Sequence, residues 1–340
     1  MVAVDKKELI GRVSCSEDLS FEVTSQAVNS IMQGSWDDDE IALLLNAWRV
    51  KGETIQEIAG AAAAMRQNMQ SIRSTRSVLI DTCGTGGDGS GTFNISTAAA
   101  IVTAAAGVAV AKHGNRGITS KTGSADVLAE LGVNINATVA KVEQCLEEVG
   151  ICFCFAPQLH PSMKHVAAAR RKLGVPTIFN MLGPLCNPAA APFQLLGVGQ
   201  PRLRSLLSAA LTLLDTQKAV VVCGEDGLDE VTLDGATNAT EVCGSSQREF
   251  TWCPGDFGLS EANLKPLQVD GPQASADVIR GVLKGQPGPA RDIVLLNAAA
   301  AVWTTGLESD LKACCERVAG SIDDGAALQL LTQLVEVSNS

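Results

Sequence analysis

Apolar residues in the first part of the chain, up to about residue 75, recur with the spacing of an α-helix. One helix face is formed by Ile41, Leu44, Leu45 and Trp48. Directly before it, Asp37 and Glu40 have the spacing of a capping box, a pair of side-chain hydrogen bonds that starts a helix. Because residues 5–75 contain no convincing strand pattern, we predict a small all-helical domain over residues 1–75.

From Arg76 onward, short apolar runs alternate with alanine-rich helical stretches. The predicted strands are residues 77–80, 108–111, 133–135, 151–155 and 220–223. Such alternation is typical of an α/β domain with a central, mostly parallel sheet. Ligands of these sheets bind at the carboxyl ends of the strands, where Gly84, Lys112, Pro157 and Gly224 fall. We therefore expect these four positions to lie near a ligand.

Residues 161–187 interrupt this alternation, and residues 162–173 have the periodicity of a helix. One face of that helix carries Met163, Val166, Ala167 and Arg170, and another carries Lys164, Ala168 and Arg171. Arg170 is thus on the apolar side, although the spacing alone fits an exposed arginine equally well.

A glycine-rich turn, Gly-Thr-Gly-Gly-Asp-Gly at residues 84–89, follows the first predicted strand. Glycines let the main chain approach an anion closely, and residues 94–97 then open a helix whose unpaired N–H groups favour a phosphate. The G-x-G-x-x-G pattern at Gly84, Gly86 and Gly89 lacks the acidic residue that a dinucleotide site has about 20 positions later. A nucleotide triphosphatase loop is excluded because no Gly-Lys-Ser or Gly-Lys-Thr follows.

The chain has 340 residues and a net charge of −11, with 26 lysines and arginines against 37 aspartates and glutamates. This balance argues against nucleic acid or an anionic membrane surface as a partner. The charge reverses locally, since residues 89–125 contain no carboxylate and include Lys112, His113, Arg116 and Lys121. Inside a cleft, such a reversal would concentrate small polyanionic ligands.

An acidic loop follows the predicted strand at residues 220–223 and contains Glu225, Asp226, Asp229 and Glu230. Oxygen ligands without histidine suit magnesium, which commonly bridges carboxylates and substrate phosphates. On the residues alone, a solvated acidic turn is the alternative.

The N-terminal sequence and the cysteines are the features that bear on the compartment. The N-terminus is charged without an apolar signal-peptide core, and no apolar run reaches the ~18 residues of a membrane span. We therefore expect a soluble cytoplasmic protein. The 11 cysteines are odd in number, are spread from Cys15 to Cys315 and lack zinc-site spacing, so we interpret them as reduced core residues.

Four motifs, in their order and spacing, resemble the anthranilate phosphoribosyltransferases: residues 84–89, 94–97, 112–116 and 122–126. The resemblance continues in residues 51–54, 183–185, 187–188, 229–230 and 296–300, and so covers nearly the whole chain. It implies transfer of the 5-phosphoribosyl group from phosphoribosyl pyrophosphate (PRPP) to the amine of anthranilate, with release of pyrophosphate, in tryptophan biosynthesis. It also implies two magnesium ions and a homodimer formed through the helical domain.

The same resemblance implies a division of the chain and a set of site residues. Residues from about 162 to 190 would complete the helical domain, and residues 76–161 and 191–340 would form the α/β domain that binds PRPP and metal. The implied PRPP ligands are Gly84, Gly87, Asp88, Thr92, Asn94, Ile95, Ser96, Thr97, Lys112, His113, Gly114, Asn115, Arg116, Gly117, Ile118, Thr119, Ser120 and Ser124. Those of anthranilate are Gly84, Asn115 and Arg170, and those of magnesium are Ser96, Asp229 and Glu230. No covalent nucleophile is required, and His113 could assist proton transfer.

Two other functions share part of the pattern. A pyrimidine nucleoside phosphorylase has a related two-domain fold, but its lysine- and serine-containing loop differs from residues 112–116. A non-catalytic protein that binds nucleic acid conflicts with the net charge of −11 and with the intact Asp229 and Glu230 pair.

Overall fold

The computed structural model describes residues 5–117 and 122–340. Its N-terminal part is all helical, as predicted. The helices are α1 (Lys6–Ser14), α2 (Phe21–Met32), α3 (Asp38–Lys51) and α4 (Ile55–Gln67). The predicted capping box is present at the start of α3, where Asp37 Oδ1 accepts from the Glu40 N–H over 2.8 Å and Glu40 Oε2 accepts from the Asp37 N–H over 3.0 Å.

The second part contains a seven-stranded sheet with the order β3-β2-β1-β4-β5-β6-β7. Its strands are β1 (Leu79–Gly84), β2 (Ala109–Gly114), β3 (Ile151–Phe155), β4 (Phe193–Gly197), β5 (Lys218–Gly224), β6 (Thr237–Cys243) and β7 (Ser246–Trp252). Strands β1 to β5 are parallel, whereas β6 and β7 add an antiparallel hairpin at one edge. The predicted mostly parallel α/β sheet is confirmed.

The strand predictions were partly wrong. Four of the five predicted segments correspond to β1, β2, β3 and β5, but residues 133–135 form no strand. Val133 and Ile135 lie in an irregular segment, and their side chains are buried in the core. Their burial explains why this segment has the apolar character of a strand. The prediction also missed β4, β6 and β7.

Helices cover both faces of the sheet. They are α5 (Ile95–Ala105), α6 (Ser124–Glu130), α7 (Val139–Glu148), α8 (Ala156–Leu159), α9 (Lys164–Leu173), α10 (Phe179–Leu182), α11 (Pro201–Leu211), α12 (Pro272–Leu283), α13 (Pro289–Thr305), α14 (Leu311–Asp323) and α15 (Ala326–Asn339). In the described part of the chain, no helix has both the length and the apolarity to cross a membrane. All 11 cysteines are free thiols, and eight are buried as expected. The interpretation as core residues was wrong for Cys15, Cys243 and Cys253, which are exposed.

The helix predicted over residues 162–173 is present as α9, preceded by a 3-10 turn. It packs against α2 and α3, and its buried Val166 and Ala169 belong to the same apolar core as Trp48. That core also includes residues of α11 and of one sheet face, while α5 and α13 belong to a second core on the other face. The α9 region is thus joined to the N-terminal helices.

The connections of the sheet place a crevice at its centre. β1 lies between β2 and β4, so the chain extends the sheet to one side with β2 and β3 and to the other with β4 and β5. In parallel sheets, ligands bind at the carboxyl ends of strands beside such a reversal. Here those ends are Gly84 of β1 and Gly197 of β4.

Candidate active site

A cavity of about 850 Å³ opens at this crevice and lies between the two parts of the chain. One wall is the glycine turn after β1 together with the start of α5, and the opposite wall includes Ala167 and Arg170 of α9. A volume of this size is at the upper end of the ~300 to 1,000 Å³ usual for small-molecule sites. It can therefore hold two small substrates side by side.

The turn at residues 84–89 requires glycine for two reasons, positive φ angles and the close approach of the acidic loop. Gly86 and Gly87 have φ values of 67° and 77°, a region that other residues adopt only with strain. A Cβ on Gly84 would lie 2.5 Å from Oδ2 of Asp229, so the close approach of the acidic loop requires glycine. The N–H of Gly86 donates to the same Oδ2 over 2.7 Å. The turn is thus backed by the acidic loop.

The start of α5 presents Ser96 but not Thr97. Asn94 caps the helix, and its Oδ1 accepts from the N–H of Thr97 over 3.2 Å and from the Thr97 hydroxyl. Both groups of Thr97 are used by the cap, and Thr97 does not line the cavity. Its contact with PRPP stays a prediction. Ser96 lines the cavity, and its Oγ accepts from Lys112 Nζ over 3.1 Å.

Lys112 is a buried cation at the end of β2. It is 3% exposed, and its Nζ also donates to the Thr82 carbonyl over 2.6 Å. Burial lowers the pKa of Lys112, while the nearby carboxylates of Asp81 and Glu230 oppose that shift. An anionic ligand in the cavity would likewise favour the charged ammonium.

Asp229 and Glu230 line the cavity and have perturbed acidity. Burial, with the charge of Asp88, raises the pKa of Asp229 to about 7, and burial, with the charge of Asp229, raises the pKa of Glu230 to about 8. The Ser96 main chain partly opposes the rise in the pKa of Glu230. Two adjacent carboxylates beside a serine hydroxyl form an oxygen donor set, and a divalent cation would relieve their repulsion. These residues therefore fit magnesium.

The other two acidic residues of this loop do not line the cavity. Asp226 accepts from the Leu228 N–H over 3.1 Å and from the Thr232 hydroxyl over 2.7 Å, so it shapes the loop. Glu225 is exposed.

The basic loop after β2 is held at both ends. Arg116 Nη1 donates to Asp126 Oδ1 over 2.8 Å, and the Gly117 N–H donates to Asp126 Oδ2 over 2.9 Å. Gly114 lies against Ser124, whose Oγ would be 2.1 Å from a Cβ at that glycine. The predicted ligands Ile118, Thr119 and Ser120, and the basic Lys121, lie outside the described residues.

His113 and His160 form a buried pair on the cavity wall. His113 Nδ1 donates to the Gly183 carbonyl over 2.9 Å, and its Nε2 lies 3.1 Å from His160 Nε2. Burial and the neighbouring histidine lower the pKa of His113 to about 3, and burial lowers the pKa of His160 to about 4. Both nitrogens of His113 are therefore engaged by the protein in this structure, and its assistance in proton transfer stays a prediction.

Arg170 faces the cavity, whereas Arg171 is exposed and does not line it. The Arg170 guanidinium lies 5.9 Å from the centre of the Phe179 ring and donates to Asn180 Oδ1 over 3.4 Å. Burial lowers the pKa of Arg170. A cation beside an aromatic ring suits an aromatic carboxylate.

Most of the predicted site residues lie on this one cavity. They are Gly84, Gly87, Asp88, Thr92, Asn94, Ile95, Ser96, Lys112, His113, Gly114, Asn115, Arg116, Gly117, Ser124, Arg170, Asp229 and Glu230. Lys164 also lines it, although the sequence placed that residue on another helix face than Arg170. Sequence reasoning missed Met65, Cys83, Ser90, Phe179 and Asn180. No motif or periodicity distinguishes these residues, because only the tertiary fold brings them to the cavity.

The fold and the cavity define a two-domain transferase with an anion-binding site between its domains. Residues 7–69 match the model of the glycosyl transferase family, helical bundle domain, and residues 76–328 match that of the glycosyl transferase family, a/b domain. The chain is thus built from both domains of a glycosyl transferase.

Comparison with whole proteins narrows this class. The chain is 51% identical over 319 residues to the anthranilate phosphoribosyltransferase of Rhodopirellula baltica, covering 94% of this chain and 93% of that protein. The crystal structure of anthranilate phosphoribosyltransferase from Thermus thermophilus superposes with a TM-score of 0.92 at 39% identity, covering 98% of this chain and 99% of that one. The chain therefore belongs to the anthranilate phosphoribosyltransferase family.

Two structures of a yeast relative include ligands. The Saccharomyces cerevisiae enzyme in complex with PRPP and Mg matches with a TM-score of 0.90 at 28% identity, covering 98% of each chain. The same enzyme with 4-fluoroanthranilate gives 0.89 at 28% identity, covering 98% of this chain and 97% of that one.

Proposed function

We propose that this protein transfers the 5-phosphoribosyl group of PRPP to the amine of anthranilate and releases pyrophosphate, a step of tryptophan biosynthesis. The supporting observation is that one cavity joins an anion-binding wall to a wall that carries Arg170 above Phe179. Family membership and the two ligands of the yeast relative support the same substrates.

PRPP would occupy the wall made by the glycine turn, the start of α5 and the loop after β2. Main-chain N–H groups, the Ser96 hydroxyl and the cations Lys112 and Arg116 are the groups there that suit a phosphate and a diphosphate. The proposed contacts are the predicted PRPP residues that line the cavity. For Thr97, Ile118, Thr119 and Ser120, contact with PRPP rests on the family resemblance alone.

Magnesium would be held by Ser96, Asp229 and Glu230, and the yeast relative solved with PRPP and Mg supports this metal. We propose two ions on the family resemblance alone; the chain would supply the two carboxylates and the Ser96 hydroxyl as oxygen donors, beside substrate phosphates and water. When bound, magnesium neutralises the charge that develops on the departing pyrophosphate.

Anthranilate would lie on the opposite wall, with its carboxylate paired to Arg170 and its amine directed toward the ribose by Asn115 and the main chain at Gly84. In the reaction, the amine nitrogen forms a bond to C1 of the ribose while the C1–O bond to pyrophosphate breaks and pyrophosphate leaves, and the nitrogen then loses its extra proton to water. The protein contributes orientation and charge rather than a covalent nucleophile.

The domain division, assembly and compartment are also proposals. We propose a helical domain of residues 1–75 with about 162–190, and an α/β domain of residues 76–161 and 191–340. We further propose a cytoplasmic homodimer that associates through the helical domain. The exposed Leu43 and Val50 lie one heptad apart on α3 and provide apolar surface for such contact, and free thiols suit a reducing compartment.

A fluorescence assay tests the proposed reaction. Purified protein with anthranilate, PRPP and magnesium should consume anthranilate, seen as loss of its fluorescence, and omission of PRPP should stop the loss. Phosphorolysis of uridine or thymidine instead, without consumption of anthranilate, would favour a pyrimidine nucleoside phosphorylase.

A further inference from the structure

Asn297 of α13 binds the main chain next to the two cavity carboxylates. Its side chain is 1% exposed, and its Oδ1 accepts from the Val231 N–H over 2.9 Å. Its Nδ2 donates to the carbonyls of Val231 and Ile293, each over 2.9 Å. Because Val231 directly follows Glu230, these bonds fix the peptide groups on both sides of Val231.

The ends of two strands confine the same segment from another direction. A Cβ on Gly197 would lie 1.6 Å from the main-chain oxygen of Asp229, and one on Gly84 would lie 2.5 Å from the Asp229 carboxylate. The backbone at Asp229 therefore touches the ends of β1 and β4, while Asn297 holds the next turn of chain to α13. Residues 229–231 have little freedom to shift as a unit.

We propose that Asn297 is a positioning residue for magnesium, acting through the main chain of Val231 on Asp229 and Glu230. The inference rests on the proposed function of that pair as magnesium ligands. Magnesium requires near-ideal octahedral geometry, so small displacements of its carboxylates weaken binding. A neutral amide can fix this backbone without neutralising the carboxylates, which a lysine or arginine in the same place would do.

Direct metal binding separates positioning from a purely structural role. We would dialyse wild type and Asn297→Ala to equilibrium against the same solution of pyrophosphate and manganese(II), a paramagnetic substitute for magnesium, and measure the excess manganese in the protein compartment by electron paramagnetic resonance after acid release. Loss of a residue that orients metal ligands typically costs 10- to 100-fold in affinity, and we expect a loss of about this size. The KM for anthranilate should stay close to wild type, because Arg170 lies on the other wall.

Thr304→Val is the matched control. Thr304 lies on the same helix, is fully buried and donates its hydroxyl to the Ala300 carbonyl over 2.7 Å, far along α13 from Val231. The control should lower the melting temperature without weakening manganese binding. If Asn297→Ala is not recovered folded, Asn297→Asp keeps the shape and the Oδ1 acceptor but places an oxygen against two carbonyls, and the same loss is expected.

The possible results distinguish the metal role of Asp229 and Glu230 from the positioning role of Asn297. Absence of manganese binding by wild type with pyrophosphate would overturn the proposed metal role of Asp229 and Glu230. Wild-type binding with an unchanged affinity in the Asn297 variants would overturn the positioning role alone. An equal loss of affinity in Thr304→Val would also overturn it, because general destabilisation would then explain the effect.

Discussion

Arg170 and Arg171 are adjacent in the sequence but meet different surroundings, since consecutive helical residues point about 100° apart. Arg170 reaches the cavity beside Phe179 and Asn180, and Arg171 is exposed. If Arg170 pairs with the anthranilate carboxylate, Arg170→Ala should raise the KM for anthranilate. Truncating one side of a desolvated pair typically costs roughly 2 to 5 kcal/mol of binding free energy, and the KM should rise by the corresponding factor. Steady-state kinetics with each substrate varied measure this effect.

Arg171→Ala is the control for that variant and should behave almost as wild type. The KM for PRPP should change little in either variant, because the phosphate-binding groups lie on the other wall. An equal or larger rise in the KM for anthranilate in Arg171→Ala would mean that the other face of α9 binds the carboxylate. A rise confined to the KM for PRPP would mean that Arg170 binds PRPP instead.

Asp229 and Glu230 differ from the other acidic residues of their loop in facing the cavity. Asp229 and Glu230 line the cavity, whereas Glu225 is exposed. Asp229→Asn combined with Glu230→Gln should lower kcat/KM by ~10² to 10³, since an electrostatic contact with the departing charge is worth ~3 to 4 kcal/mol. Anthranilate affinity should change little.

Glu225→Gln, in the same loop, is the matched control and should retain wild-type kcat/KM at all magnesium concentrations. Wild-type turnover that persists in excess chelator would contradict the metal assignment.

At the scale of elements, Glu57 of α4 connects three parts of the helical domain. Its Oε1 accepts from the Leu19 N–H over 3.1 Å and from Trp48 Nε1 over 3.0 Å, and its Oε2 accepts from Lys51 Nζ and the Thr54 N–H, each over 2.9 Å. Glu57→Ala leaves the Leu19, Trp48 and Thr54 donors without this acceptor, whereas Lys51 keeps Asp18 Oδ1 and the Gly52 carbonyl, each over 2.8 Å. Because each buried donor left unsatisfied costs ~1 to 3 kcal/mol, we expect the free energy of unfolding to fall by ~3 to 5 kcal/mol. Urea unfolding should show this decrease.

The exposed Glu22→Ala on α2 should stay within about 0.5 kcal/mol of wild type, as is usual for surface substitutions. A similar free energy of unfolding for both variants would show that the Glu57 network contributes nothing net.

The sequence predicted those elements whose pattern is local. Continuous apolar runs marked β1, β2, β3 and β5, and helical spacing marked α3 and α9. The missed β4 contains a buried polar residue, Gln194, whose Nε2 donates to the Pro184 carbonyl, and this breaks the apolar run. In the missed β7 most side chains are exposed, because it is an edge strand.

The residues of the candidate site also fall into those with a local sequence pattern and those that only the tertiary structure brings to the cavity. Glycine turns, a helix start and paired carboxylates are short motifs, so residues such as Gly84, Ser96 and Asp229 could be predicted from the sequence. The use of Thr97 by the Asn94 cap could not be predicted, since it depends on side-chain geometry. Phe179 reaches the cavity from a helix of only four residues, too short to show a period.

At the scale of the whole molecule, the cavity lies where two apolar cores approach each other. One core unites the N-terminal helices with α9, α11 and one sheet face, and the other lies under α5 and α13 on the opposite face. The phosphate-binding groups follow strands of the sheet, and Arg170 comes from α9. Each substrate would therefore contact a different part of the fold, which explains why we expect separable effects on their two KM values.

The buried pair of His113 and His160 lies on the cavity wall, with His113 in β2 and His160 just before α9. Burial holds the pKa of His160 at about 4, below the ~6.5 of an unfolded histidine. As the pH falls below ~6.5, the unfolded chain therefore binds a proton that the folded chain does not, and stability present above that pH is lost toward pH 4. For His160 alone the loss is roughly 2 kcal/mol at pH 5.

The raised pKa values of Asp229 and Glu230 act in the opposite direction, because the folded apoprotein retains protons there up to about pH 7 and about pH 8. Wild type alone thus gives a mixed pH profile, and the difference from His160→Gln isolates the histidine, since the glutamine amide can still donate to His113 Nε2. Between pH 7 and 5, the melting temperature should fall less in His160→Gln than in wild type. His165→Gln, at a partly exposed histidine beside Gly34, is the control. Parallel profiles for wild type and His160→Gln, or an equal change in the control, would show that the buried pair does not set the acid limit of stability.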